Sequence, residues 1–95
     1  MFVGVARVVL IIHSAFSLKE KRSVVQRVKE RTKSKFNVAV AEVDDLDVWN
    51  RATLGLVVVS NDSGHANSQL DHIFTFIDEL HLAELAEQEF TIESF

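Results

Sequence analysis

The residues of this chain best suited to chemistry are a run of basic side chains in its first third. Eight of the ten Lys and Arg residues lie between Lys19 and Lys35. Residues 1–35 carry nine bases and two acids, a net charge of +7, whereas residues 36–95 carry one base and twelve acids, a net charge of −11. This polarity indicates a polyanionic partner, and the alternative is a helix with an ordinary solvated basic face.

We predict that this basic segment contacts the phosphate backbone of RNA, with a further base contributed by the first strand. Such contacts are electrostatic, depend steeply on salt and carry little sequence information. The alternative is that the bases pair with acids of neighbouring elements or subunits, at about 0–1 kcal/mol for each pair. The candidate RNA-binding residues are Lys19, Arg22, Arg27, Lys29, Arg31, Lys33, Lys35 and Arg7.

A second candidate contact lies in the segment Trp49-Asn50-Arg51, between two predicted strands. An exposed Trp49 beside Arg51 is suited to stacking on a base or to contacting a protein partner. The alternative is a Trp49 that folds back and covers the core, because a chain of 95 residues needs its large apolar groups.

Patterns that indicate catalysis or metal binding are missing from the sequence. The absence of cysteine excludes thiol chemistry and cysteine-ligated metals. His65 and His72 lie two helical turns apart, about 10 Å by the helical rise, which is too far to share one metal ion. Asp44, Asp45 and Asp47 lack the spacing of an EF-hand loop, and the three glycines are isolated. We therefore expect no enzymatic activity, no metal and no cofactor.

Apolar periodicity places these residues on elements in the order β-α-β-β-α-β. Ser17 and Glu20 form a capping-box pattern at the start of the first helix, and Asp62 or Ser63 is expected to cap the second. Lys21 falls within the apolar arc of the first helix, where we expect its stem to reach past the helix end to solvent. The predicted strands are 2–13, 36–43, 53–60 and 87–93, and the predicted helices are 17–34 and 63–80.

This order predicts one α+β domain over residues 1–95, with a ferredoxin-like fold. Four antiparallel strands form a sheet with strands 1 and 3 at its centre, and both helices cover one face. Strand 1 is apolar on both of its faces, so its second apolar stripe needs a cover. Association of two copies through the open sheet face supplies one, and we therefore expect a homodimer.

Composition is typical of a water-soluble globular chain, with 47% hydrophobic and 25% charged residues. No apolar run approaches the roughly 20 residues of a membrane helix, and no signal-peptide pattern opens the chain. We expect a cytoplasmic protein without a membrane partner.

Several segments of the chain resemble the small bacterial YlxP-like proteins, over a region from about Val3 to about Ile77. The resemblance implies a ferredoxin-like fold, and the family offers no established catalytic residue that could be assigned to this chain. Genes of this family commonly lie near those for translation initiation and ribosome maturation factors, which implies a ribosome- or RNA-associated role. The matching segments are Ser17-Leu18-Lys19-Glu20-Lys21-Arg22 with Val24-Val25, Phe36–Glu42, Asp47–Ala52, and Leu54-Gly55 through Ser60-Asn61-Asp62.

Two functions from different classes fit these features. The first is a non-catalytic accessory protein that binds ribosomal RNA or a ribosomal subunit through the basic helix. The second is a homodimeric module that binds a protein or a small ligand and has no nucleic-acid role.

Overall fold

Strand β1 is the central element of the fold, because a strand pairs with it on each side. The computed structural model describes residues 1–95. The elements are β1 (Phe2–Ile11), α1 (Leu18–Lys35), β2 (Ala39–Asp44), β3 (Arg51–Ser60), α2 (Ser63–Glu79) and β4 (Glu84–Ser94).

The sheet has the strand order β2-β3-β1-β4, and every neighbouring pair is antiparallel. β1 and β3 are therefore the central strands, and both helices pack on one face of the sheet. This is the predicted ferredoxin-like α+β arrangement, and it confirms the fold class. The other face, which we call the open face, carries no helix.

The core lies between the sheet and the two helices. Alternate residues of β1 point into it, because successive side chains of a strand project from opposite faces. Ala6, Val8 and Leu10 are buried there, and α2 contributes Leu70 and Ile73. Burial of this apolar surface stabilises the layered packing that fixes α1 and α2 on the sheet.

Both helix starts are capped as predicted. The hydroxyl of Ser17 accepts from the Glu20 N–H at 3.1 Å, and the Glu20 carboxylate accepts from the Phe16 N–H at 3.2 Å. At α2 the carboxylate of Asp62 accepts from the His65 N–H at 2.8 Å. These bonds pair backbone donors that a helix start leaves free, so they define where each helix begins.

Several strand boundaries differ from the prediction. β1 ends at Ile11 rather than at position 13, and β2 begins at Ala39 rather than at position 36. Phe36 instead ends α1 in an extended conformation and packs edge-on against Phe76 of α2, with ring centroids 5.4 Å apart. β4 is longer than predicted at both ends, because it pairs with β1 along nearly its whole length.

Candidate nucleic-acid interface

The basic residues of α1 form two rows along the helix. At about 100° per residue, four of them fall within an arc of about 80° and three within a second arc of the same width. Glu30 lies between the two arcs. We name the first set the outer row and the second set the inner row. The outer row is Lys19, Arg22, Lys29 and Lys33, and the inner row is Arg27, Arg31 and Lys35.

The two rows have different surroundings. A shallow groove beside α2 is lined by Arg31 and Lys35 together with Phe76 and Leu80, so the inner row faces α2. Glu20 falls on the same flank of α1 as the inner row, by the same angular spacing. The outer row therefore lies on the flank away from α2 and includes no acid.

None of these seven bases forms an ion pair within the chain. The ion pairs of the structure involve His13, Lys21 and Arg51 as the basic partners. Glu30, the acid nearest to both rows along the helix, instead accepts from the Gln26 amide at 2.9 Å. Acids of neighbouring elements therefore do not pair with these bases within one chain, and the charges remain free for a partner or a second subunit.

Lys21 does not reach solvent, and the prediction that its stem passes the helix end is wrong. Its side chain is completely buried and its ammonium lies 2.7 Å from a carboxylate oxygen of Glu42 on β2. The ammonium also donates to the backbone carbonyls of Asp45, at 2.7 Å, and Leu46, at 3.3 Å. An ammonium can be buried only when such partners replace its water, and here they come from the strand and turn beside α1.

Three sets of hydrogen bonds fix the turn between β2 and β3. Lys21 binds two of its carbonyls, and the Val48 N–H donates to the Asp45 carbonyl at 3.0 Å within the turn. At its far end the Ile12 N–H donates to the Asn50 carbonyl at 2.9 Å, which joins the turn to the end of β1. Asp45 adopts a positive φ of 60°, a conformation that Asp tolerates better than most residues.

The carboxylate of Asp45 points to the open face and organises a polar cluster there. It accepts from the Thr53 hydroxyl at 2.7 Å and from the Arg51 guanidinium at 3.0 Å. The Thr53 hydrogen bond, aided by the positive charges of Arg51 and Lys21, holds the pKa of Asp45 below its usual range. Arg51 also lies 3.8 Å from Glu87 on β4, a contact that crosses over β1.

Trp49 lies on the surface and does not fold back over the core. Its side chain remains 45% exposed and stacks on Phe16, which is 78% exposed. The ring centroids are 6.3 Å apart and the ring planes differ by 26°. We call Phe16 and Trp49 the aromatic pair. Arg51 binds carboxylates on the open face instead, so Trp49 and Arg51 do not form the joint contact expected from their sequence proximity.

Arg7 lies on the open face and is not brought together with the bases of α1. It pairs in register with Gly55 of β3 and Glu89 of β4, and no carboxylate lies within ion-pair distance of it. A shallow cavity of about 510 Å³ on this face is lined by ten residues, among them Arg7 and the exposed valines Val5, Val43 and Val57. Arg7 therefore belongs to a surface on the opposite side of the sheet from α1.

The segments that carry the sequence resemblance meet at one end of the molecule. Lys21 of the first segment pairs with Glu42 of the second. The turn that Lys21 binds leads into the third segment, in which Trp49 stacks and Arg51 forms its ion pair. The Lys21–Glu42 pair joins two of these segments directly, whereas Phe16 and Asp45, the partners of Trp49 and Arg51, lie just outside them.

Comparison with known proteins shows the family to which the chain belongs. Residues 3–90 match a family described as "Protein of unknown function (DUF503)". The chain belongs to this family. A Bacillus subtilis (strain 168) relative, described as uncharacterized protein YlxP, is 38% identical over 76 residues, which cover 80% of this chain and 83% of the relative. The expected YlxP-like identity is thus confirmed.

Solved structures share the fold. A designed protein with a ferredoxin fold, LFR1 1, matches with a TM-score of 0.55 and 18% identity over 100% of this chain and 87% of its own. The protein YJCS matches with a TM-score of 0.55 and 12% identity over 94% of this chain and 96% of its own. At such identities these likenesses show the fold alone.

Two further observations concern metal binding and membrane-spanning helices. The structure holds no group of three or more His, Cys, Asp or Glu side chains arranged to bind a metal ion. Neither helix combines the length and the apolar character that crossing a membrane requires.

The buried Lys21 predicts a large and specific cost of substitution. Lys21→Met should lower the free energy of unfolding by about 3–5 kcal/mol, because it leaves the Glu42 carboxylate without its counter-ion and two carbonyls without their hydrogen-bond donor. Adding Glu42→Met should recover part of that loss, since no unpaired charge then remains buried. Urea unfolding followed by the fluorescence of Trp49 measures both variants.

The matched control is Lys19→Met, the same substitution at an exposed position two residues earlier. It should change the free energy of unfolding by less than about 0.5 kcal/mol. A cost for Lys21→Met no larger than that of Lys19→Met would show that the buried pair does not hold α1 against the β2–β3 turn.

Proposed function

We propose that this protein is a non-catalytic accessory protein of the cytoplasm that binds ribosomal RNA or a ribosomal subunit through the outer row of α1. The observation that carries the proposal is that all seven bases of α1 other than the buried Lys21 lack an ion-pair partner in the chain. Phosphate groups are the ligands that such a row neutralises best. The ribosomal setting comes from what the family resemblance implies about neighbouring genes.

The length and chemistry of the outer row suit a phosphate backbone. From Lys19 to Lys33 the helix rises about 21 Å, which is long enough to follow several nucleotides. Arg22 can bind a phosphate through two parallel N–H donors, whereas the three lysines act as point charges. Such contacts set affinity and orientation and leave sequence selection to other groups.

The acidic part of the molecule restricts the direction of approach. α2 exposes Asp71, Asp78 and Glu79, and β4 adds exposed glutamates along the far edge of the sheet. These groups repel a polyanion. RNA therefore contacts the α1 side of the molecule alone, and the flank away from α2 is the more favourable one.

Binding through the sheet, as in an RRM, is not supported by the open face. That mode needs aromatic side chains on the central strands for base stacking. The open face of β1 presents Val3, Val5, Arg7 and Val9, and that of β3 is likewise free of aromatic residues. This favours α1 as the surface that meets RNA.

We propose as a second candidate function that two copies associate through the valine-rich part of the open face. Only part of this face is covered within one chain, where the contact between Arg51 and Glu87 crosses over Val9 and leaves it buried. Val57 and Val59 remain exposed beside Arg7. Arg7 and Glu89 are register partners on this face and form no ion pair within the chain, so in a two-fold pair each is available to an opposite charge of the other copy. This dimer leaves α1 free, so both candidates are compatible.

The two rows of α1 give a matched test of the first candidate. Lys29→Gln with Lys33→Gln removes two charges from the outer row, and Arg27→Gln with Arg31→Gln removes two at the same spacing from the inner row. The slope of log K against log salt for RNA should become shallower by about 1.4 to 1.8 in the outer-row variant and stay unchanged in the inner-row variant. Fluorescence anisotropy of a labelled ribosomal RNA fragment measures both slopes. Equal slopes for the two variants would remove the outer row as the contact surface.

The second candidate predicts a dimer at micromolar concentration that Val57→Glu converts into a monomer. The new carboxylate would be buried between the two copies without a partner, at a cost of several kcal/mol. Leu46→Glu is the control, because Leu46 is also apolar and exposed but lies on the β2–β3 turn. Sedimentation equilibrium reports the mass. A wild-type protein that stays monomeric across the micromolar range contradicts this candidate.

A further inference from the structure

We propose that the aromatic pair is a stacking site for an unpaired RNA base, placed at the start of the α1 phosphate-binding surface. This inference rests on the proposed RNA binding and deepens it, because it names the class of RNA: strands, loops or bulges with at least one base out of its stack. Phe16 and Trp49 carry it through their exposure, their hydrogen-bonded backbone and their position at the N-terminal end of α1, where the outer row begins.

The two rings offer aromatic surface that the fold does not use. Phe16 and Trp49 contact each other through rings that are near parallel, and 78% and 45% of their respective areas stay open to solvent. A small domain normally buries such groups, since each contributes a large apolar area to its core. Planar exposed rings are the surface on which unstacked bases pack in RNA-binding proteins.

Hydrogen bonds hold the backbone on both sides of the pair. Phe16 donates its N–H to the Glu20 carboxylate within the α1 cap. Trp49 lies in the turn whose carbonyls bind the buried Lys21 ammonium and whose last carbonyl, that of Asn50, accepts from Ile12. The rings are therefore presented by a fixed scaffold, which lowers the entropy lost when a ligand orders them.

The charges around the pair agree with a nucleotide ligand. Lys19 and Arg22 of the outer row lie in the first turns of α1, directly after Phe16 and its cap. Among nearby acids, Asp45 is paired with Arg51, whereas Glu20 and Asp44 accept only from backbone N–H groups and Asp47 is exposed. A strand that places phosphates on the outer row thus brings its adjoining base to the aromatic pair.

The structure supplies its own reporter for the test. Trp49 is the single tryptophan and the chain has no tyrosine, so intrinsic fluorescence reads the stacking position directly. Three polyanions are titrated at low salt: a single-stranded oligoadenylate of about 12 nucleotides, the same strand paired in an RNA duplex, and inorganic polyphosphate, which has no bases.

The proposal expects the single strand to quench Trp49, and polyphosphate to bind without quenching. Phe16→Leu should weaken single-strand binding by about 5- to 140-fold, whereas Phe16→Tyr, which keeps a ring, should stay near wild type. Leucine keeps an exposed apolar group, so this contrast separates base stacking from docking of a protein. Because position 16 is exposed, neither variant should unfold the chain.

The remaining outcomes overturn the inference in distinguishable ways. Salt-dependent binding that is equal for single strand and duplex, with unchanged Trp49 emission, removes the stacking site and leaves the phosphate surface of α1 standing. Equal quenching by polyphosphate also removes it, since no base is then required. Absence of binding to any RNA at low salt overturns the proposed function and this inference together.

Discussion

The burial of one ammonium group determines how α1 is joined to the β2–β3 turn. Removing the charge of Lys21 from water costs several kcal/mol unless fixed partners replace that water. The Glu42 carboxylate and the carbonyls of Asp45 and Leu46 do so, and they come from β2 and the turn that follows it. The start of α1 is thereby fixed against the β2–β3 turn, and the basic rows and the aromatic pair acquire a set position relative to each other.

Charge is separated across the molecule in the same way as along the sequence. Seven bases without an ion-pair partner lie on α1, whereas most of the exposed acids lie on α2 and along β4 at the far edge of the sheet. A dipolar surface of this kind orients an approaching polyanion before contact, and salt weakens the effect. The overall charge of −4 therefore says little about partners, because the local field near α1 has the opposite sign.

The sequence predicted most of the fold because its signals are local. The capping residues Ser17 and Asp62 and the periodicity of the helices and strands give the element order, and connection rules then give the ferredoxin-like topology. The face of the sheet on which Arg7 lies is also encoded in the local sequence. Arg7 alternates with the buried Ala6 and Val8, so strand geometry alone places it on the face away from α1.

Other features depend on long-range pairing, which no local pattern encodes. Lys21 meets Glu42 only after β2 is placed beside α1, and Trp49 meets Phe16 only after the turn is attached to the end of β1. The partial cover of the open face by Arg51 and Glu87 likewise requires the register of three strands. These contacts decide which groups stay available for binding, and the candidate site was therefore less predictable than the fold.

The central claim is that α1 contacts the phosphates of ribosomal RNA, and co-sedimentation with purified small and large ribosomal subunits tests it most directly. The protein should sediment with one of the two subunits at low salt, and the bound fraction should fall steeply when salt is raised to a moderate level. Absence of co-sedimentation with either subunit at low salt would contradict the claim, and so would binding that salt does not weaken.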